Sequence, residues 1–418
     1  MIYGKNHLIC GLLGEKLSHS FSPMIHSRLA DYSYSLFEMS ESEIGKFIRS
    51  DRYFALNVTI PYKKTVMPFL DEISDEALAI GSVNTITRTA SGKIRGDNTD
   101  YFGFEYLIKK SGITVKNKNV MILGTGGASL TARAVVSDMG ARRISFVSRS
   151  GEINYENFYN LLPDTEVVIN CTPVGMYPNN GVSPVSLERL PDCQGVVDMI
   201  YNPSSTALLL DAKRLSIPDI NGLPMLVAQA KRACELFLEE KIEDSEIDRI
   251  TALIENQTKN IILVGMPGCG KSTVAELIGK ALCRTVVDTD ALIVEDLGRD
   301  IPSVFANAGE EFFRQAEHRA ICRAGKLSGA IIATGGGAVT RAENLDPLRQ
   351  NGTVFFISRD IEKLARDGRP LSLSGNLSEM YEKRLPMYRH FCDFEVSNDK
   401  EPQDCADEII KIFMGETL

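Results

Sequence analysis

Residues Gly265 to Ser272 read GMPGCGKS, a pair of glycines with four residues between them, then Lys271 and Ser272. At such a spacing a strand end can turn into a helix through backbone free of Cβ atoms. Successive N–H groups of Gly268, Gly270 and Thr273 can then face phosphate oxygens at the helix N-terminus. Lys271 reaches the terminal phosphates and Ser272 a Mg²⁺; a purely structural glycine turn leaves the lysine unexplained. Downstream, VVDTDALI puts Asp288 and Asp290 at the end of an apolar run, where strand alternation predicts a common direction for both carboxylates. One suits a hydrated Mg²⁺, and the other suits the proton of an acceptor hydroxyl. A solvated turn or a helix cap is the competing reading. Arg314 and Glu317 follow one helical turn apart, then Gly335, Gly336 and Gly337 after another apolar run. Arg366, Arg369 and Arg384 supply planar cations for phosphates or a carboxylate.

A second chemistry is written ahead of this one. VMILGTGGASLTARAVV reads as strand, glycine turn and helix, so Gly124, Gly126, Gly127, Ala128 and Ser129 can lie against a dinucleotide's pyrophosphate. The next apolar run ends on Ser148 and Arg149 rather than an acidic residue, which suits the 2′-phosphate of NADP(H); an exposed surface arginine is the alternative. Still earlier come LSHSFSP with Ser18 and Ser20, NVTIPYKK with Asn57, Thr59 and Lys63, and the stretch from Asn84 to Asp100. Hydroxyls and amides in such number suit a polyhydroxylated carboxylic acid. A lysine beside a carboxylate can protonate an oxygen that gains charge as a carbonyl is reduced; alone, Lys63 reads as a solvated surface lysine.

The elements that must hold these groups are legible as apolar runs. NVMILG, RRISFVS, EVVINC, GVVDMI, NIILVG, AIIATGGG and TVFFIS alternate with amphipathic stretches, which predicts parallel sheets built from βαβ units. With 418 residues the chain has length for two or three cores. The polar stretch 239–260 is helical in period and places a boundary near 251–259. A net charge of -9 argues against a basic nucleic-acid or lipid surface, and nine cysteines without CxxC pairing suggest neither disulfides nor zinc. Without an apolar leader or spanning run, the expectation is a cytoplasmic protein with small-molecule ligands; a homo-oligomer is left open.

The phosphate loop, DTD, FFR, GGG, RPL and KRLPMY, in this order, resemble shikimate kinase across 260–418. The resemblance implies Asp290 as base, Asp288 and Ser272 at Mg²⁺, and Lys271 and Arg369 on ATP. It also implies that Arg314, Arg384 and Gly335 to Gly337 hold shikimate, with Phe305 and Phe313 beside its ring. The lid stretch between Arg369 and Arg384 is shorter than the family's.

The front clusters, together with INCTPVGM, DMIYNPSSTALL and NGLPMLVAQA, resemble shikimate dehydrogenase along 1–250. That implies Lys63 and Asp100 as the catalytic pair, Ser18, Ser20 and Tyr201 at the substrate carboxylate, and Asn57, Thr59, Asn84 and Gln229 at its hydroxyls. Two departures stand out: SRSGEI lacks a second arginine, and Pro224 is expected to stiffen a loop ahead of Met225 and Gln229.

The expected fold is therefore α/β: a substrate lobe over 1–100 completed by 223–250, a Rossmann-like NADP lobe over 101–222, a linker at 251–259, and a P-loop kinase with a central parallel sheet over 260–418. The expected function is reduction of 3-dehydroshikimate with NADPH and phosphorylation of shikimate with ATP and Mg²⁺. The alternatives are a quinate-type enzyme using NAD, or one domain retained only as a binding module. A nucleic-acid-stimulated ATPase is disfavoured by the acidic balance.

Overall fold

The computed structural model describes residues 8–17, 20–364 and 377–415. They form two compact units: 1–174, 183–201 and 211–252 group together, and 175–182, 202–210 and 253–418 make the second.

The first unit holds two sheets. One contains β1 (Ile9–Gly14), β2 (Ser33–Glu38), β3 (Ala55–Val58), β4 (Glu72–Ile73), β5 (Thr85–Arg88) and β6 (Ile94–Asp97), in the order β2-β1-β3-β5-β6-β4. It is mixed, because β5 runs antiparallel to both β3 and β6. The other contains β7 (Asn119–Leu123), β8 (Arg143–Val147), β9 (Val167–Asn170), β10 (Gly195–Asp198) and β11 (Asp219–Ile220), in the order β11-β10-β9-β7-β8. All its pairings are parallel. The strand order reverses between β7 and β9, so the loops leaving these two strands open a crevice at their carboxyl ends.

Helix Leu223–Leu238 returns to the first sheet, where its buried Ala233, Cys234 and Phe237 pack with Cys10, Tyr32 and Ala55. Burying a phenylalanine such as Phe237 stabilises by roughly 1.5–3 kcal/mol. The buried Lys231 is satisfied by Glu235 at 2.8 Å and Asp244 at 2.7 Å, which ties the helix to the chain beyond it. Pro224 lies in the first turn of this helix, not in a loop, at a position where the missing N–H costs nothing.

The second unit carries β12 (Asn260–Val264), β13 (Val286–Asp288), β14 (Ile331–Ala333), β15 (Gly352–Ser358) and β16 (Phe394–Ser397), all parallel, in the order β13-β14-β12-β15-β16. β12 is buried along its whole length, as an apolar run covered on both faces must be. Helix Ile301–Gly325 breaks at Gly309, whose φ of 80° and ψ of 171° suit glycine alone, and the break re-aims the turn that carries Arg314 and Glu317.

Two boundaries differ from the expectation. Residues 251–258 are the second half of helix Ser245–Thr258, which buries Ile247, Ile250 and Ile254, and the units change over inside it, between 252 and 253. Segments 175–182 and 202–210, expected within the NADP lobe, belong to the second unit, where Tyr177 Oη donates to the Gly325 carbonyl at 3.1 Å. Among the described residues no helix is long and apolar enough to cross a membrane.

In the first unit, helix Ser22–Leu29 buries His26, which stacks on Tyr34 at 4.1 Å and bonds Tyr32 Oη through Nδ1 at 2.6 Å. Burial lowers the His26 pKa from 6.5 to about 3. The folded state therefore binds fewer protons than the unfolded chain between these values. The resulting stability is complete above about pH 6.5 and is lost as pH falls toward 3. Urea unfolding of the first unit across this window is expected to show a steeper acid loss in the wild type than in His26→Gln. Equal slopes would remove His26 as the cause.

Candidate active sites

In the first unit a cavity of about 630 Å³ gathers residues from the mixed sheet, from neighbouring helices and from the loops after β10 and β11. Lys63 lies in the turn after β3, and Asp100 in the first turn of helix Thr99–Ser111. The lysine Nζ donates to Asp100 Oδ2 at 2.5 Å, with 27% and 16% of the two side chains exposed. The pair is thus sheltered yet reachable, as a proton donor must be. Ser20, Asn57, Thr59 and Asn84 line the same cavity, as do Tyr201 and Gln229. Asn84 Oδ1 accepts from the Thr99 amide at 2.7 Å, and Gln229 Nε2 donates to the Leu226 carbonyl at 2.9 Å. Burial pushes the Tyr201 phenol upward, so it enters the cavity neutral. Ser18 lies outside the described residues.

The dinucleotide crevice opens after β7. Thr125, Gly126, Gly127 and Ala128 are exposed at the N-terminus of helix Gly127–Asp138, and no atoms crowd Gly126 or Gly127. Gly124 lies against Thr172 and Cys171, which follow β9. This cradle of free helix-end amides fits the pyrophosphate of NADP(H). Ser129 departs from expectation: its side chain is fully buried and its amide donates to the Gly126 carbonyl at 3.1 Å, so its hydroxyl faces the protein. Ser148 and the exposed Arg149 follow β8, where a 2′-phosphate would be read. Beneath the crevice Asn170 Nδ2 donates to Asp198 Oδ1 at 3.0 Å, and Asn170 Oδ1 accepts from Thr172 Oγ1 at 2.7 Å. This buried network comes from the INCT and DMIY stretches, where Asn170 and Asp198 carry no spacing signal of their own.

The second unit contains a cavity of about 480 Å³ at the carboxyl ends of β12, β13 and β14. Gly268, Gly270, Lys271, Ser272 and Thr273 form one wall. Lys271 Nζ donates to the carbonyls of Gly265 at 2.9 Å and Met266 at 3.0 Å. Ser272 Oγ donates to Asp288 Oδ2 at 3.1 Å, a hard-oxygen pair that fits Mg²⁺ completed by phosphates and water. No group of three His, Cys, Asp or Glu is placed to hold a metal among the described residues. The expected strand alternation of Asp288 and Asp290 is not the geometry found. β13 ends at Asp288, which caps helix Thr289–Leu297 by accepting from the Asp290 amide at 2.9 Å. Asp290 belongs to the first helical turn and still lines the cavity.

The acceptor side is built around the glycine run. Arg314, only 6% exposed, donates to Glu317 Oε2 at 2.8 Å and to Glu310 Oε1 at 3.1 Å. Burial pushes the Glu317 carboxyl up, against the pull of Arg314 and Arg384. Arg384 donates to the Gly336 carbonyl at 3.2 Å, and Tyr388 Oη donates to the same oxygen at 2.6 Å. Phe305 and Phe313, with rings 4.6 Å apart, form the apolar floor. Glu310 and Tyr388 escaped the sequence reading, although each is four residues from an arginine already singled out, on the same helical face. Arg366 and Arg369 lie outside the described residues.

Two family models match separate parts of the chain. The model for the shikimate dehydrogenase substrate binding domain matches residues 12–86, and that for shikimate kinase matches 267–413. Shikimate dehydrogenase (NADP(+)) of Clostridium beijerinckii is 37% identical over 269 residues, covering 60% of this chain and 98% of that protein. A chorismate mutase/shikimate 5-dehydrogenase fusion protein from Clostridium acetobutylicum superposes with a TM-score of 0.57 at 38% identity, over 60% of this chain and 98% of its own. Shikimate 5-dehydrogenase from Listeria monocytogenes, solved with shikimate and NAD, has a TM-score of 0.54 at 26% identity, over 60% and 97% of the two chains.

The contact of Arg314 with the glycine run is close enough to test. A Cβ on Gly337 would stand 2.0 Å from an Arg314 guanidinium nitrogen, so the arginine must leave its place between Glu310 and Glu317. Gly337→Ala is expected to raise KM for the phosphoryl acceptor about tenfold or more, with KM for ATP nearly unchanged. Steady-state kinetics varying each substrate checks this; an unaltered acceptor KM would show that Arg314 does not bind it.

Proposed function

The chain belongs to the shikimate dehydrogenase family and carries a shikimate kinase domain, a bifunctional enzyme of the shikimate pathway; on that premise we propose that it reduces 3-dehydroshikimate to shikimate and then phosphorylates the product on its 3-hydroxyl. The observation that carries the reduction is the Lys63–Asp100 pair at 2.5 Å inside a cavity of hydroxyls and amides.

Bound NADPH supplies the reducing equivalent, and ATP with Mg²⁺ the phosphoryl group. In the first cavity Lys63 gives its proton to the substrate oxygen that becomes a hydroxyl. Asp100 orients the ammonium, and its second oxygen takes a substrate hydroxyl. Ser20 and Tyr201 hold the carboxylate, with Ser18 assigned beside them by family likeness. Asn57, Thr59, Asn84 and Gln229 fix the ring by its hydroxyls, which holds the reacting carbon in one place. In the second cavity Asp290 accepts the proton of the attacking hydroxyl. Arg314 and Arg384 clamp the carboxylate with planar donors, and Phe305 and Phe313 exclude water from the ring's apolar face. Ser272 and Asp288 would hold Mg²⁺, and Lys271 would meet the phosphates, with Arg369 assigned beside it by family likeness.

The dehydrogenase uses NADP(H), as its relatives do. Two observations favour a looser preference than in enzymes with two cations: Arg149 stands alone in SRSGEI, and the Listeria relative was solved with NAD. A comparison of both cofactors with shikimate and with quinate separates this reading from the main one.

The two chemistries use separate residues, so each should be removable alone. Lys63→Ala is expected to slow reduction by about 10²–10⁴-fold while phosphorylation of added shikimate persists, and Asp290→Asn should do the reverse. Following NADPH absorbance and shikimate 3-phosphate by mass spectrometry in one reaction reads both. Loss of both activities in a folded Lys63→Ala protein would contradict the assignment.

A further inference from the structure

Asn57 sits on the floor of the first cavity, 5% exposed, and its carboxamide can offer a substrate either an oxygen or two N–H donors. The residues behind it decide which. Tyr34 Oη donates to Asn57 Oδ1 at 2.8 Å, leaving Nδ2 turned toward Thr85 Oγ1 at a long 3.5 Å and toward the cavity. Tyr34 remains a donor, because burial and the nearby Cys10 push its phenol well above the ordinary range. Its ring has little freedom: it stacks on His26 at 4.1 Å with a 13° tilt, and His26 is pinned by Tyr32 at 2.6 Å.

Asn84 is turned the same way by different groups. Its Oδ1 accepts from the Thr99 amide at 2.7 Å, from Thr99 Oγ1 at 3.2 Å and from Thr85 Oγ1 at 3.0 Å. With that oxygen filled from behind, Nδ2 is the end left for the cavity. Two neighbouring amides therefore both present donors, and the carboxylate of Asp100 lines the same cavity as an acceptor.

Resting on the proposed reduction, we infer that Tyr34 is a positioning residue that never touches substrate: it locks the Asn57 carboxamide with its NH₂ toward the ligand, so that this wall recognises hydroxyl oxygens as acceptors while Asp100 takes the hydroxyl hydrogen. A hydroxyl can serve both demands at once. A protonated amine at the same ring position has no lone pair for Asn57 or Asn84 and is refused.

The test is a mutant cycle on the full chain, with shikimate oxidation by NADP followed by absorbance. Tyr34→Phe keeps the stacked ring and loses only the hydroxyl. It is expected to raise KM for shikimate about five- to tenfold, with kcat within about twofold and KM for NADP unchanged. Asn57→Ala should show at least that loss, and the double variant should be no worse than Asn57→Ala alone. Asn57→Asp, which keeps an acceptor for Tyr34 but offers the substrate an oxygen, should bind no better than Asn57→Ala. An unchanged shikimate KM in Tyr34→Phe, penalties that multiply in the double variant, or a wild-type KM in Asn57→Asp would each overturn the inference while leaving the dehydrogenase assignment standing. A folded wild type that does not oxidise shikimate would overturn both.

Discussion

A buried charge or amide has to be matched by a partner, and the functional parts of this protein are arranged by that requirement. Leaving one such group unpaired costs about 1–3 kcal/mol, and more for an ion. Lys63 with Asp100 and Arg314 with Glu317 meet the requirement at the two cavities, and Asn170 with Asp198 meets it below the dinucleotide crevice. In each case the partner fixes the direction of the side chain as well as its charge. The same rule operates away from any ligand, where Lys231 meets Glu235 and Asp244. What distinguishes Lys63–Asp100 and Arg314–Glu317 is that both members of each pair line a cavity.

Strand ends supply that space. Glycine turns after β7 and β12 hand the chain to helices whose first amides are uncommitted, and the carboxyl ends of neighbouring strands bring polar residues beside them. The cores below are apolar and fully covered, so the polar residues have nowhere else to collect. Asp288 shows how economical the result is: one oxygen caps a helix while the other meets Ser272.

The buried parallel strands were legible in the sequence because strands covered on both faces are written as continuous apolar runs. Every run singled out became a strand of a five-stranded parallel sheet. The mixed sheet at the front was not legible. β2 reads SYSLFE and mixes exposed with half-buried positions, and β4 is two residues long, so neither leaves an apolar run. Residues singled out by type together with spacing, such as Lys271 and Ser272, do line the cavity of the second unit. Where geometry depended on an element boundary the reading failed, as for Asp290, which a helix rather than a strand aims, and for Ser129, which the helix turns inward. Partners such as Tyr34 and Tyr388 gave little signal, because an aromatic residue near a core strand is usually packing alone.

The posture of Lys271 carries a thermodynamic implication for the phosphate loop. Its ammonium rests on the Gly265 and Met266 carbonyls, 9% exposed, so the side chain has already surrendered most of its rotamer freedom. On the proposed assignment of Lys271 to ATP, an arriving triphosphate does not order a floppy cation; it competes for one that is already engaged. Nucleotide capture is thus an exchange of acceptors in which little entropy is lost, and its net strength is set by how much better a phosphate oxygen solvates the ammonium than two peptide carbonyls do.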